Sequence, residues 1–104
     1  MKKDIEIQGI FEAIDSFAVR RKNQFFVIGN LIEGTIEPDW FVSIRFNDSI
    51  SMTLRINSIE EIEFTSRQDK YKLLVTDCDN ETIDFLLGLN VGLEMLEVTI
   101  EGED

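Results

Sequence analysis

Histidine is absent from all 104 residues. That absence excludes Ser-His-Asp and Cys-His nucleophile chemistry, histidine acid–base catalysis and the usual histidine-bearing zinc sites. Cysteine occurs once, at Cys78, so no disulfide forms within the chain, which suits a reducing cytoplasm. Proline occurs once, at Pro38, and glycine only 6 times. Long apolar runs are missing too: Phe25 to Ile28 is four residues, far short of a membrane span. Asp4 and Glu6 interrupt any apolar stretch after Lys2-Lys3, which argues against a secretory leader. The expectation is a soluble, cytoplasmic protein with no membrane association.

What is present is enough for one folded domain over residues 1–104. Hydrophobic residues make up 43%, too many for a disordered acidic tail. A chain of this length buries about 65% of the surface its unfolded form exposes, so it stands without staples.

Period-two alternation dominates, the mark of half-buried strands. Ile5 and Ile7 alternate with Asp4, Glu6 and Gln8. Trp40, Val42, Ile44 and Phe46 share one face, opposite Phe41, Ser43 and Arg45. Ile50, Met52, Leu54 and Ile56 line a face opposite Ser51, Thr53, Arg55 and Asn57. The phase slips near Asn57-Ser58, because Ile59, Ile62 and Phe64 follow, and a β-bulge accounts for the slip. Tyr71, Leu73 and Val75 mark another strand. Leu96, Val98 and Ile100 stand against Met95, Glu97, Thr99 and Glu101 in the last. Phe25 to Gly29 is apolar on both faces, as a central strand is, with Gly29 at a close backbone approach.

Connections fall between these runs: a polar stretch at Arg20 to Gln24, and turns at Glu33-Gly34, Pro38-Asp39 and Asn47 to Ser49. Only Asn80 to Leu87 reads as a helix, capped by Asp79 or Asn80. Six or seven short strands with regular turns predict an all-β fold, a closed antiparallel barrel or a sandwich, with one short helix.

Certain landmarks, taken in order, carry a resemblance. They are Asp15-Ser16-Phe17-Ala18-Val19, then Val27-Ile28-Gly29 with Gly34, then Ile36, Val42 and Ile44. Ile56-Asn57-Ser58-Ile59-Glu60, Leu73 to Val75, the helix near Ile83, and Gly92 before Leu96 complete the set. Over roughly residues 10 to 98 the chain resembles the second domain of translational GTPases such as elongation factor Tu. The resemblance implies a six-stranded antiparallel barrel and, from the family, contact with transfer RNA or the small ribosomal subunit. Three positions depart from it. Arg20 to Gln24 lacks the glycines usual there, Asp39 stands where the family turns on glycine, and the loop after Phe64 is short. No G-x-x-x-x-G-K-[ST] loop is present to cradle phosphates.

Candidate sites each have a competing structural role. Asp77-x-Asp79-x-Glu81 opens like a calcium loop, but Thr82 and Gly88 stand where that loop needs glycine and glutamate. Helix capping by Asp79 is the better reading, so no metal and no cofactor are expected. Cys78 precedes the helix, yet Asp77 and Asp79 oppose its ionisation, and no histidine serves as base. Arg20-Arg21-Lys22 is the one basic run, placed at a hairpin tip, where it touches a phosphate backbone or acidic partner or simply blocks edge pairing. Phe41, on the polar face of its strand, either anchors a partner or packs beneath a loop or terminal strand.

Charge is the strongest signal. Residues 1–72 hold 12 acids and 10 bases, whereas residues 73–104 hold 9 acids and no base. Asp77, Asp79, Glu81 and Asp84 gather at the helix and Glu97 lies on the outer side of the last strand, a surface suited to a basic protein partner. An overall charge of −11 disfavours nucleic acid. The sequence therefore predicts a non-enzymatic binding module built as a standalone translation-factor-type barrel. The competing reading is an acidic inhibitor or immunity-type protein that neutralises a basic enzyme or toxin.

Overall fold

A computed structural model describes residues 7–45, 51–64, 69–89 and 94–100. Among the described residues are six antiparallel strands, β1 (Ile7–Val19), β2 (Gln24–Gly34), β3 (Phe41–Arg45), β4 (Ser51–Phe64), β5 (Asp69–Asp77) and β6 (Glu94–Thr99), and one α-helix, α1 (Asn80–Leu89). The strands close into a barrel in the order β1-β2-β5-β4-β3-β6. Strands β3, β4 and β5 are consecutive neighbours, and β6 returns through α1 to lie beside β3, which is Greek-key connectivity. Closure leaves no free sheet edge among these strands.

The interior takes one face of each strand. Phe11 and Ala13 of β1, Phe25 and Val27 of β2, Val42 and Ile44 of β3, Leu54 and Ile56 of β4, Leu74 of β5, and Leu96 and Val98 of β6 form the core. Ile83 and Leu86 of α1, both fully buried, plug one end. The helix exists because Asp79 caps it: Thr82 N donates to Asp79 Oδ1 at 2.8 Å, and Ile83 N to the Asp79 carbonyl at 2.9 Å. Both the helix and its cap match the sequence expectation.

Four bulges interrupt the registers, one of them at Gln8 of β1 against β6. Ile56 pairs with Thr76 and Ser58 with Val75, so Asn57 is the extra residue. This is the phase slip read from the sequence, and it returns Ile59 to the core side. Ile14 is extra in β1 and Ile32 in β2. The bulge at Ile14 hides the alternation of residues 9–19, so periodicity assigns no strand there, although β1 runs through all of them. Gly29 sits where expected: a Cβ there would lie 2.0 Å from the Glu12 carbonyl oxygen, so β1 and β2 meet only over glycine.

Some expectations change. Glu33-Gly34 is no hairpin turn. Gly34 pairs with Gly9 as the last residue of β2, at a φ of 76°, and the chain then crosses to β3. The turn at Pro38-Asp39 is real: Trp40 N donates to the Glu37 carbonyl at 3.3 Å, with Asp39 at a φ of 73°. Proline followed by a positive φ is the type II pattern, so Asp39 holds the backbone shape that glycine would hold. Ile7 and Ile100 are exposed rather than inward. The turn at Asn47 to Ser49, the strand-end residues Ile5, Phe46, Ile50 and Glu101, the loop after Phe64 and Gly92 lie outside the described residues.

Candidate functional site

A six-stranded barrel has one interior, so a strand apolar on both faces must place its second face outside. Both β2 and β5 are such strands. Cross-strand register sets Phe17, Phe26 and Val75 side by side on the exterior, with Asp15, Ile28, Leu73 and Glu60 as the next row. The Phe17 and Phe26 rings stack with centroids 4.9 Å apart and planes 4° from parallel. Phe17 stays 41% exposed, while Leu73 and Val75 are buried and Phe26 and Ile28 are half-buried. The result is an apolar stripe on the outer wall of β1, β2 and β5. Asp15 and Glu60 close its second row, and the next outward row carries Gln24 against Asp77.

The sequence reading missed this stripe. Its signal was present in two adjacent apolar runs, Phe25 to Ile28 and Leu73 to Val75. For β5 the inward side is Leu74 and Thr76, leaving Leu73 and Val75 outside. Thr76 is acceptable inside because its hydroxyl donates to the Phe25 carbonyl at 2.8 Å.

The acidic residues at the helix start are drawn into local structure. Asp79 is spent on the cap, and hydrogen bonds from the Thr82 backbone and side chain hold its carboxyl below the usual carboxylate range. Asp77 accepts from the Asn57 side chain at 3.2 Å, which ties it to the β4 bulge. Asp84 binds Arg20 at 2.6 Å, with both side chains exposed. The basic tip, a single 3-10 turn at Arg20–Lys22 closed by Asn23 at a φ of 53°, therefore lies against the acidic helix. Arg21, Lys22 and Glu81 are exposed beside them. One end of the barrel thus carries mixed charge, because the two opposite clusters read from the sequence are neighbours. Among the described residues no group of three His, Cys, Asp or Glu side chains converges to hold a metal ion.

Of the two readings of Phe41, the covered one describes it. It lies on the outer face of β3, but it is only 3% exposed, with the Arg55 guanidinium 4.6 Å from its ring centroid. Arg55 also donates to the Asp39 carbonyl at 3.1 Å, so the cation is fixed over the ring. Trp40 packs against the core from the turn, as the alternation required.

Cys78 is buried, and Thr76 Oγ1 lies 3.6 Å from its sulfur. Burial pushes its thiol up, Asp79 and Asp77 add to that, and the Thr76 contact opposes it. A thiol in this state is a poor nucleophile at neutral pH.

Glu97 stands apart from the helix acids. Its register partners are Ile10 on β1 and Ser43 on β3, all on the outer face. With Met95 and Arg45 these residues line a shallow groove of about 260 Å³. The nine singled-out residues therefore divide among three places: the mixed-charge end, the Glu97 groove and the covered Phe41.

No protein-family model matches the chain, and neither a curated protein nor a solved structure matches it. Among the described residues no helix is long and apolar enough to cross a membrane.

Proposed function

We propose that this chain is a non-enzymatic binding module that docks a basic protein on the outer wall of its barrel. The observation that carries the reading is the exterior patch of Phe17, Phe26 and Ile28, beside the buried Leu73 and Val75, with carboxylates along its borders. An apolar strip of this kind, with an exposed aromatic and a charged margin, has the anatomy of an interface core inside a polar rim. The surrounding acids supply steering, so association with a basic partner is fast at low ionic strength and slows with salt. The buried Cys78 and the dispersed carboxylates support binding rather than catalysis.

The link to translation rests on the resemblance of the ordered landmarks to the translation-factor barrel. Under it the partner is a ribosomal protein or translation factor, and Arg21 and Lys22 form a second contact at the tip. One observation favours the inhibitor reading instead. Arg20 is engaged by Asp84, so the basic tip is partly neutralised while the last 32 residues keep a net charge of −9.

The test is capture from host extract at low and high salt, comparing the native chain with F17S. Phe17 is 41% exposed and its loss removes one ring stack, at a cost of about 0.5–1.5 kcal/mol, so thermal unfolding of F17S is measured beside the capture. A basic protein captured at low salt, lost at high salt and lost with F17S supports the reading. Equal capture by both chains removes the stripe from the interface.

A further inference from the structure

We infer that the groove over β1, β6 and β3 is a socket for one arginine side chain of the basic partner, an inference that rests on the proposed binding function.

Register makes the socket. Ile10, Glu97 and Ser43 form one continuous cross-strand row on the outer face, and Met95 pairs with Glu12 one row away. Ile10 and Met95 give apolar walls, Met95 being 58% exposed. Glu97 is half-buried, between Ile10 and Ser43 in its row. Its carboxylate and the Ser43 hydroxyl lie on one row as acceptors, and among the described residues no ion pair joins Glu97 to Arg45 or any other cation.

The occupant follows from this chemistry. A groove lined by Ile10, Met95 and the Glu97 carboxylate fits a side chain that is aliphatic along its stem and cationic at its head. Two acceptors in a row suit a planar guanidinium, which presents a fixed fork of donors, better than a compact ammonium. A polarizable thioether against the guanidinium plane adds to the fit. Arg45 lines the same groove and repels a second cation. Glu12 and Glu33, on the same outer face, outweigh it: Glu12 pairs with Met95 and Glu33 with Ile10. The local charge therefore favours a cation.

The three methionines make the test selective. Methyl-labelled methionine gives an exposed reporter at Met95 and an internal control at Met52, which packs against the core. Nα-acetyl-arginine amide is titrated by NMR to about 10 mM, the range in which a single side chain binds. The Met95 methyl is expected to shift saturably while Met52 stays still. The citrulline amide, which lacks the charge, should leave both unmoved. E97Q should weaken the arginine effect at least about fivefold, a change of about 1 kcal/mol, with Met52 reporting an intact fold. A stationary Met95, an equal response to lysine amide, or an unchanged titration with E97Q overturns the inference. If capture from extract still depends on Phe17 after any of these failures, the binding function stands without the socket. Capture that does not weaken with salt and is equal for the native chain and F17S would instead strike the function itself.

Discussion

At the scale of single residues, the fold depends on a few positions that tolerate no alternative. A Cβ on Gly29 would collide with the Glu12 carbonyl at 2.0 Å, and a second contact, the Phe11 ring edge at 2.9 Å, belongs to a fully buried core residue. Neither the backbone of β1 nor that ring has room to give. G29A is therefore expected to cost about 2–3 kcal/mol, as overpacking does, measured by urea unfolding. A loss below about 0.5 kcal/mol would mean that β1 and β2 do not approach as described. Asp79 gives a second residue-level expectation, in pH. Its folded carboxyl titrates below the ordinary value because Thr82 donates to the ionised form. A carboxyl with a depressed folded pKa contributes stability above its unfolded value, lost as pH falls through the folded one. D79N keeps a capping acceptor without the charge, so it should fold normally and lack this part of the acid-side loss. Unfolding curves from about pH 6 to about pH 3 check it; a D79N curve parallel to that of the native chain would show that the cap is not ionic.

At the scale of elements, α1 does more than connect β5 to β6. Ile83 and Leu86 close one end of the barrel, whereas Phe85 and Leu87 remain exposed on the same short helix. L86A should therefore cost about 3 kcal/mol by opening a cavity at the plug, while L87A should change stability by less than about 0.5 kcal/mol. Equal costs would show that the helix is not seated by this face. The same element shows what sequence makes legible. Asp79 followed by a helical run announces the helix and its cap, since capping chemistry is local. The alternation of β3 and β6 and the slip at Asn57 were equally readable, because period two survives wherever one face is polar. Strands β2 and β5 were less so. With both faces apolar, sequence cannot say which one looks inward, and that choice is made by the closure of the barrel. The outer stripe, the leading site candidate, falls in that gap. What covers Phe41 was illegible for a related reason: the cover is an Arg55 side chain 14 residues away in sequence, brought over it by β3–β4 register, and not a loop or terminal strand.

At the scale of the whole molecule, an apolar outer wall and a charge of −11 oppose each other. Apolar stripes invite self-association, and a large like charge on every copy resists it. The repulsion reaches about 30 Å at 0.01 M salt and about 3 Å at 1 M, whereas apolar contact does not weaken with added salt. Two copies meeting through Phe17 and Phe26 would also bring Asp15, Glu60 and Asp77 of both together, so the barrier is concentrated at the stripe itself. A basic partner turns that barrier into attraction, which gives the acidic surface a second use beyond solubility: it reserves the stripe for cations. The expectation is a monomer at low salt and growing self-association towards about 1 M sodium chloride, read by sedimentation velocity. F17S should remain monomeric throughout, because it removes the exposed member of the stack without changing net charge. Were the native chain monomeric at both extremes, the stripe would be too small to hold a partner by apolar contact, and binding would have to come from the charged surfaces alone. Self-association that is equal in F17S would instead place the contact elsewhere, with the exposed Phe85 and Leu87 of α1 the next residues to replace.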